Sequence, residues 1–196
     1  LMAMAIMTWA RTDGGHQAWE PLRRSQAVYV APSGPGLWSV TPPAFAPGLL
    51  PWWGNVRPFV LRNSSVCLAP PPPVYSEQPG SAFYKEADEV YQANVKATQM
   101  QRQVSFYWAD DPLKTPTPGG HWAYIATDLL ALQKANLAQA ATTYAEMNMA
   151  MSDAFVAGWK TKYTVNLIRP VTYVQLVIDS NWVPTLMDTP PFPEFP

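Results

Sequence analysis

The stretch WKTKYTVNLIRP (residues 159–170) decides how this chain reads. It closes the longest proline-free run in the sequence, residues 119–169, and a proline follows Arg169 directly. Lys162 and Arg169 stand seven residues apart in it. On a continuous helix that is almost two turns, which puts both cations on one face, about 10 Å apart along the axis. Pro170 biases Arg169 out of the helical region and predicts the helix end there. A lysine ammonium and the planar fork of an arginine, the latter with bidentate bonds, can converge on one tetrahedral oxyanion. The C-terminal end of a helix dipole repels anions, so side chains and donors from elsewhere must do the holding. Cations in a last turn also serve ordinary capping of helix carbonyls, and spacing alone leaves both readings open.

Outward from this stretch, an apolar stripe runs from Leu137 through Tyr144, Met151, Phe155, Trp159, Lys162 and Asn166 to Arg169. Small residues such as Ala138, Ala145 and Gly158 would let neighbouring helices approach closely. The pattern predicts a central helix in an all-α helical bundle. A helix before it begins near His121. Residues 81–110 read as one more helix, capped by Ser81, with Tyr84, Ala87, Tyr91, Val95 and Thr98 recurring at three- and four-residue spacing. DDPLKTPTPGG (110–120) is a loop, and residues 171–179 form a further short helix. The opening LMAMAIMTWA (1–10) is too short to span a bilayer and lacks the basic flank of a signal peptide. It is expected to belong to a core helix. No alternating strand pattern and no internal repeat is present.

Composition narrows the class. The chain has 196 residues, 48% hydrophobic, with nine Trp, which excludes a disordered chain. A net charge of -1 with scattered cations excludes a nucleic-acid footprint. Cys67 is the single cysteine, so no internal disulfide forms. Twelve of the 22 prolines lie in residues 32–79, which therefore cannot be helical for long. This long proline-rich N-terminal arm is expected to be ordered coil lying on a core through Trp38, Phe45, Trp52, Trp53 and Phe59. Pro70 to Pro73 read as a stiff polyproline spacer. The expected organisation is an N-terminal helix and arm over residues 1–80 and the first part of a helical-bundle catalytic domain over 81–196.

K-x6-R-P at 162–170 resembles the first of three signature motifs of the vanadium-dependent haloperoxidases, relatives of the type-2 phosphatidic acid phosphatases. Its context strengthens the likeness. SDAFVAGWKTKYTVNLIRPVT (152–172) resembles the family's Asp-Ala … Trp-x-x-Lys … Arg-Pro helix, and VSFYWADDP (104–112) the segment before it. TPTPGGHW (115–122) and LPWWGNVRPFVL (50–61) are similar to the bacterial branch. TPPFPEFP (189–196) resembles the run into the second motif, Pro-Ser-Gly-His. The resemblance covers most of the chain in family order.

It implies the haloperoxidase type of helical bundle, and oxidation of halide by hydrogen peroxide at vanadate, with a small organic substrate as acceptor. Lys162 and Arg169 would bind vanadate oxygens, and Lys162 would polarise the peroxide. Asp111 matches the acidic residue that orients the motif arginine, with Asp110 as its alternative. Trp159 and Phe192 match aromatics proposed to line the halide site, roles that compete with plain core packing. His121 is a cap or a pocket-lining residue, and His16 a loop residue. Neither matches a ligand position, so the vanadium-coordinating His is expected outside this chain, and no metal site within it. The second and third motifs would follow Pro196, in a continuation or as a C-terminal half in a separate chain; alone, this part is expected to be inactive. A homodimer is a further candidate assembly, and a periplasmic or extracellular location is implied by family habit only. Two other functions stay open: a phosphatase acting on phosphate esters at the same oxyanion site, and a non-catalytic helical scaffold.

Overall fold

The computed structural model describes residues 2–15, 29–111, 114–187 and 189–194. His16, Pro112, Phe195 and Pro196 lie outside the described residues, so the expectation for His16 falls there too. Among the described residues the architecture is all-α: six α-helices, one 3-10 turn and a single isolated bridge between Leu37 and Leu167. The helices are α1 (Met2–Ala10), α2 (Ala82–Val95), α3 (Gln99–Tyr107), α4 (Thr117–Leu132), α5 (Leu137–Val165) and α6 (Pro170–Val177). No helix among the described residues is long and apolar enough to cross a membrane.

Local chemistry explains where the helices begin. The Ser81 hydroxyl accepts from the Tyr84 amide and caps α2, as its sequence predicts. The single helix expected over 81–110 is in fact two. Thr98 and Gln101 form a reciprocal capping box that starts α3 afresh after the turn at Lys96. Asn136 and Gln139 do the same for α5. Helix α4 starts at Thr117, four residues before His121, because Pro118 is tolerated in a first turn, where its missing N–H has no helical partner anyway.

Helix α5 is the long central element, but the face it buries is not the predicted stripe. Its buried residues are Asp153, Val156, Ala157 and Thr161. They meet the 3-10 turn Trp53–Asn55 of the arm, and Val156 packs on Val56 beside Trp52 and Trp53. Gly54 permits this approach: a Cβ there would lie 2.6 Å from the Lys160 Cα. Asp153 fastens the next stretch of arm, since its carboxylate accepts the backbone N–H groups of Phe59, Val60 and Leu61 at 2.6, 2.7 and 2.8 Å. A second core joins Phe83 and Ala87 of α2 to Tyr173 of α6 and to Ile168, and a third sets Val171 and Val174 on Trp182.

The described part of the arm, residues 29–79, is largely coil, with Trp38 buried at 2% exposure, although Phe45 and Phe59 stay more than half exposed. Helix α1 departs from expectation. It buries no residue, and Met2, Met4, Ile6 and Met7 are exposed. Its contacts are with the arm: Trp9 stacks on Phe59 at 4.9 Å, and the Arg57 guanidinium lies 4.2 Å from the Trp9 ring centroid. Among the described residues no core receives the apolar side chains of α1, and Arg57 ties its end to the arm through the Trp9 carbonyl.

Candidate functional site

The helix carrying Lys162 does not run on to Arg169. It ends at Val165, where Asn166 takes a left-handed conformation (φ 52°) and donates its backbone N–H to the Lys162 carbonyl at 2.8 Å. Asparagine tolerates this geometry better than most residues. Its side chain is buried, bonded through Nδ2 to the Tyr163 carbonyl at 2.7 Å and through Oδ1 to the Tyr29 hydroxyl. Pro170 therefore opens α6 rather than closing α5, and Arg169 sits before it in extended geometry (φ -78°, ψ 147°). The shared helix face expected for the two cations is absent. The extended conformation expected for Arg169 ahead of a proline is present.

Three strands of coil lock the turn between the helices. Trp38 N donates to Asn166 O at 2.8 Å, and Ile168 N to Gly36 O at 2.9 Å. Leu167 O accepts from Glu194 N at 3.1 Å, and Leu49 N donates to Pro191 O at 2.7 Å. Leu49 O in turn accepts from Trp159 Nε1 at 3.1 Å and from the Tyr163 hydroxyl at 2.7 Å. Arm, central helix and the 191–194 segment thus meet at one place.

Four predicted site residues come together there. The Phe192 ring centroid lies 5.1 Å from that of Trp159, 5.2 Å from Lys162 Nζ and 5.3 Å from the Arg169 guanidinium carbon. Lys162 Nζ donates to the Glu194 carbonyl at 3.4 Å. Arg169 Nη1 donates to the Phe192 carbonyl at 3.0 Å, and Nη2 pairs with the Glu194 carboxylate at 3.1 Å. Arg169 Nε is buried and has no acceptor among the described residues. Burial pushes the Lys162 ammonium below its ordinary value; the Glu194 carboxylate pulls it back and Arg169 lowers it further. Burial likewise lowers Arg169, against the raising effect of Glu194.

Among the described residues Asp111, expected to orient Arg169, does not meet it. It pairs with Lys114 at 3.4 Å, three residues away, and its carbonyl accepts from the Lys114 and Thr115 amides. A local turn satisfies it at small entropic cost. The carboxylate on Arg169 is Glu194, which the sequence reading missed. Asp110, the alternative, is engaged elsewhere: both its oxygens lie within 3.0 Å of His121 Nδ1. His121 is buried, stacked on Trp108 and met edge-on by Tyr107. It is a paired residue in an aromatic box.

A solved structure of a bacterial vanadium-dependent iodoperoxidase matches this architecture with a TM-score of 0.86 and 37% sequence identity, over 96% of this chain. The chain belongs to the vanadium-dependent haloperoxidase family. It spans 46% of the length of that iodoperoxidase chain. A scan against protein-family models and a search of curated proteins find no match.

The family's vanadate is an oxyanion, and the haloperoxidase residues gathered here fit part of its surroundings. Among the described residues the buried guanidinium Nε has no acceptor, and an oxyanion satisfies such a donor; the half-buried Lys162 ammonium, already donating to the Glu194 carbonyl, adds positive charge nearby. The arginine end is more constrained than a free bidentate fork, because Phe192 and Glu194 already engage both terminal nitrogens. Among the described residues no three His, Cys, Asp or Glu side chains gather in a way that could hold a bare metal ion.

Proposed function

We propose that this chain contributes the cationic wall of the vanadate site in a haloperoxidase that uses hydrogen peroxide to oxidise halide, which then halogenates a small organic substrate. The observation that carries this reading is the buried Nε of Arg169, which has no acceptor among the described residues. An unmet buried donor costs about 1–3 kcal/mol, which an oxyanion ligand recovers. Bound vanadate supplies a Lewis-acidic centre at which peroxide is activated. Lys162 and Arg169 hold negative charge and orient the anion. Trp159 and Phe192 provide an apolar wall that limits water and strengthens both cations' fields, and suits a weakly hydrated halide. The coordinating and acid–base histidines would come from the family sequence outside this chain.

The first test is vanadate binding, followed by the ⁵¹V NMR line of free vanadate, with Lys162→Ala and Arg169→Ala beside the wild type. Each loses a charge-assisted contact and is expected to weaken binding by about tenfold or more. Wild-type affinity in both variants would overturn the reading. With the remainder of the family sequence supplied, peroxide-dependent iodide oxidation is the expected activity. Nitrophenol release from its phosphate ester without halide turnover would reassign the site to a phosphatase, and no activity with intact oxyanion binding would leave a scaffold.

A further inference from the structure

Resting on the oxyanion reading of this site, we propose that Glu194 is the positioning residue of Arg169, holding the guanidinium so that Nε is presented to the incoming anion. The two terminal nitrogens are engaged by one three-residue segment. Nη1 donates to the Phe192 carbonyl at 3.0 Å and Nη2 meets the Glu194 carboxylate at 3.1 Å. That segment is itself fixed on both sides, by Glu194 N on the Leu167 carbonyl and by Leu49 N on the Pro191 carbonyl. Leu167 lies only two residues before Arg169, so the carboxylate and the guanidinium are referenced to the same piece of backbone. A planar group pinned at two of its three nitrogens has no remaining rotation, and the third nitrogen points one way.

Burial agrees with this role. The Arg169 side chain is 13% exposed, whereas that of Glu194 is 37% exposed. The carboxylate is the more exposed partner and engages Nη2, while the buried Nε has no acceptor among the described residues. An internal competitor for the anion's place would be expected on Nε itself. The charge balance is also suited to the task. Among the described residues the Glu194 carboxylate favours the charged form of both Lys162 and Arg169, and so offsets the repulsion between them.

The test compares Glu194→Ala with Glu194→Gln, because a Gln carbonyl still accepts from Nη2 but carries no charge. Hydrogen exchange of the Arg169 Nε–H is followed first by ¹⁵N NMR, with no ligand present. Slow exchange is expected in the wild type and in E194Q, and fast exchange in E194A. Vanadate is then titrated into each: E194A is expected to bind about tenfold more weakly, and E194Q within about threefold of wild type or tighter. A merely structural role would lower thermal stability without singling out the Nε–H. Should E194A fail to fold, Glu194→Asp, shorter by one methylene, makes the same comparison. E194A that keeps slow exchange, or that binds vanadate as tightly as the wild type or tighter, overturns the proposal. A wild type with slow exchange that binds no vanadate instead removes the functional reading while the positioning of Arg169 stands.

Discussion

Two cations share the ring of Phe192: Lys162 Nζ stands 5.2 Å from its centroid and the Arg169 guanidinium carbon 5.3 Å. Both are within the range at which an aromatic quadrupole attracts a cation, and both are partly withdrawn from water, where the attraction is larger. Phe192→Leu keeps apolar bulk and removes the quadrupole. It is expected to weaken vanadate binding by about three- to tenfold with little change in thermal stability, whereas Phe192→Trp retains the affinity. Equal affinity in F192L would show that the ring merely packs against Trp159. Calorimetric titration with vanadate decides between the two.

Asp153 ties the arm to the central helix, and its ionisation should be visible as stability. Burial alone raises its pKa, but the backbone N–H groups of Leu61, Phe59 and Val60 outweigh that and hold it below the ordinary carboxylate value. A folded pKa below the unfolded one means that the stabilisation is fully present above the unfolded value, about 3.9, and is lost as pH falls through the folded value. Asp153→Asn removes the charge and offers a donor where three donors already point. It is expected to lose about 2–3 kcal/mol at neutral pH and much less once the pH has fallen through the lowered folded value. Urea unfolding at several pH values measures this, and an equal loss at every pH would show that the three bonds do not depend on the charge.

The same junction can be broken by a single methyl group. A Cβ at Gly54 would lie 2.6 Å from the Cα and 2.7 Å from the N of Lys160, both backbone atoms of α5. Helix backbone cannot move aside as a flexible side-chain tip would. Gly54→Ala is expected to cost about 1–3 kcal/mol and to raise the protease sensitivity of the arm. A variant with unchanged melting temperature and unchanged digestion would mean that the arm is not seated on α5 in solution.

What the sequence made legible follows from how local each signal is. The Ser81 cap, and the gathering of Lys162, Arg169, Trp159 and Phe192 at one place, could be anticipated because a cap, a motif spacing and a resemblance each act over a few residues. The break before α3 had its signal in Thr98 and Gln101, but a three- and four-residue apolar pattern runs straight through it. Asn166 ended α5 where Pro170 looked the stronger terminator, since a proline in a first turn begins a helix as readily as it stops one. The buried face of α5 was set by the arm, not by hydrophobicity, and includes a carboxylate. Asp153 is bonded to backbone N–H groups more than 90 positions earlier, and backbone donors leave no mark in composition. Glu194 was hidden for a related reason: the expected acid, Asp111, had a closer partner in Lys114, and only the chain's path brings residue 194 to residue 169.

Asp110 and His121 make a last, separable case. The backbone at Asp110 is left-handed (φ 49°), a conformation that costs roughly 1 kcal/mol for alanine and much less for asparagine or glycine. Its carboxylate is buried with both oxygens near His121 Nδ1, at 2.8 and 3.0 Å. Asp110→Asn keeps the tolerated backbone and an acceptor for Nδ1–H, so it is expected to cost about 1 kcal/mol. Asp110→Ala loses the acceptor and strains the turn, at about 2–3 kcal/mol. His121→Ala strands a buried carboxylate and opens a hole against Trp108, and is expected to be the worst of the three, at about 3–5 kcal/mol. Chemical denaturation of the three variants checks the order. None should alter vanadate affinity beyond about twofold, because among the described residues the ring contacts of this pair are with Tyr107 and Trp108 rather than with the residues around Arg169. A large loss of affinity in D110N would instead tie this aromatic box to the oxyanion site.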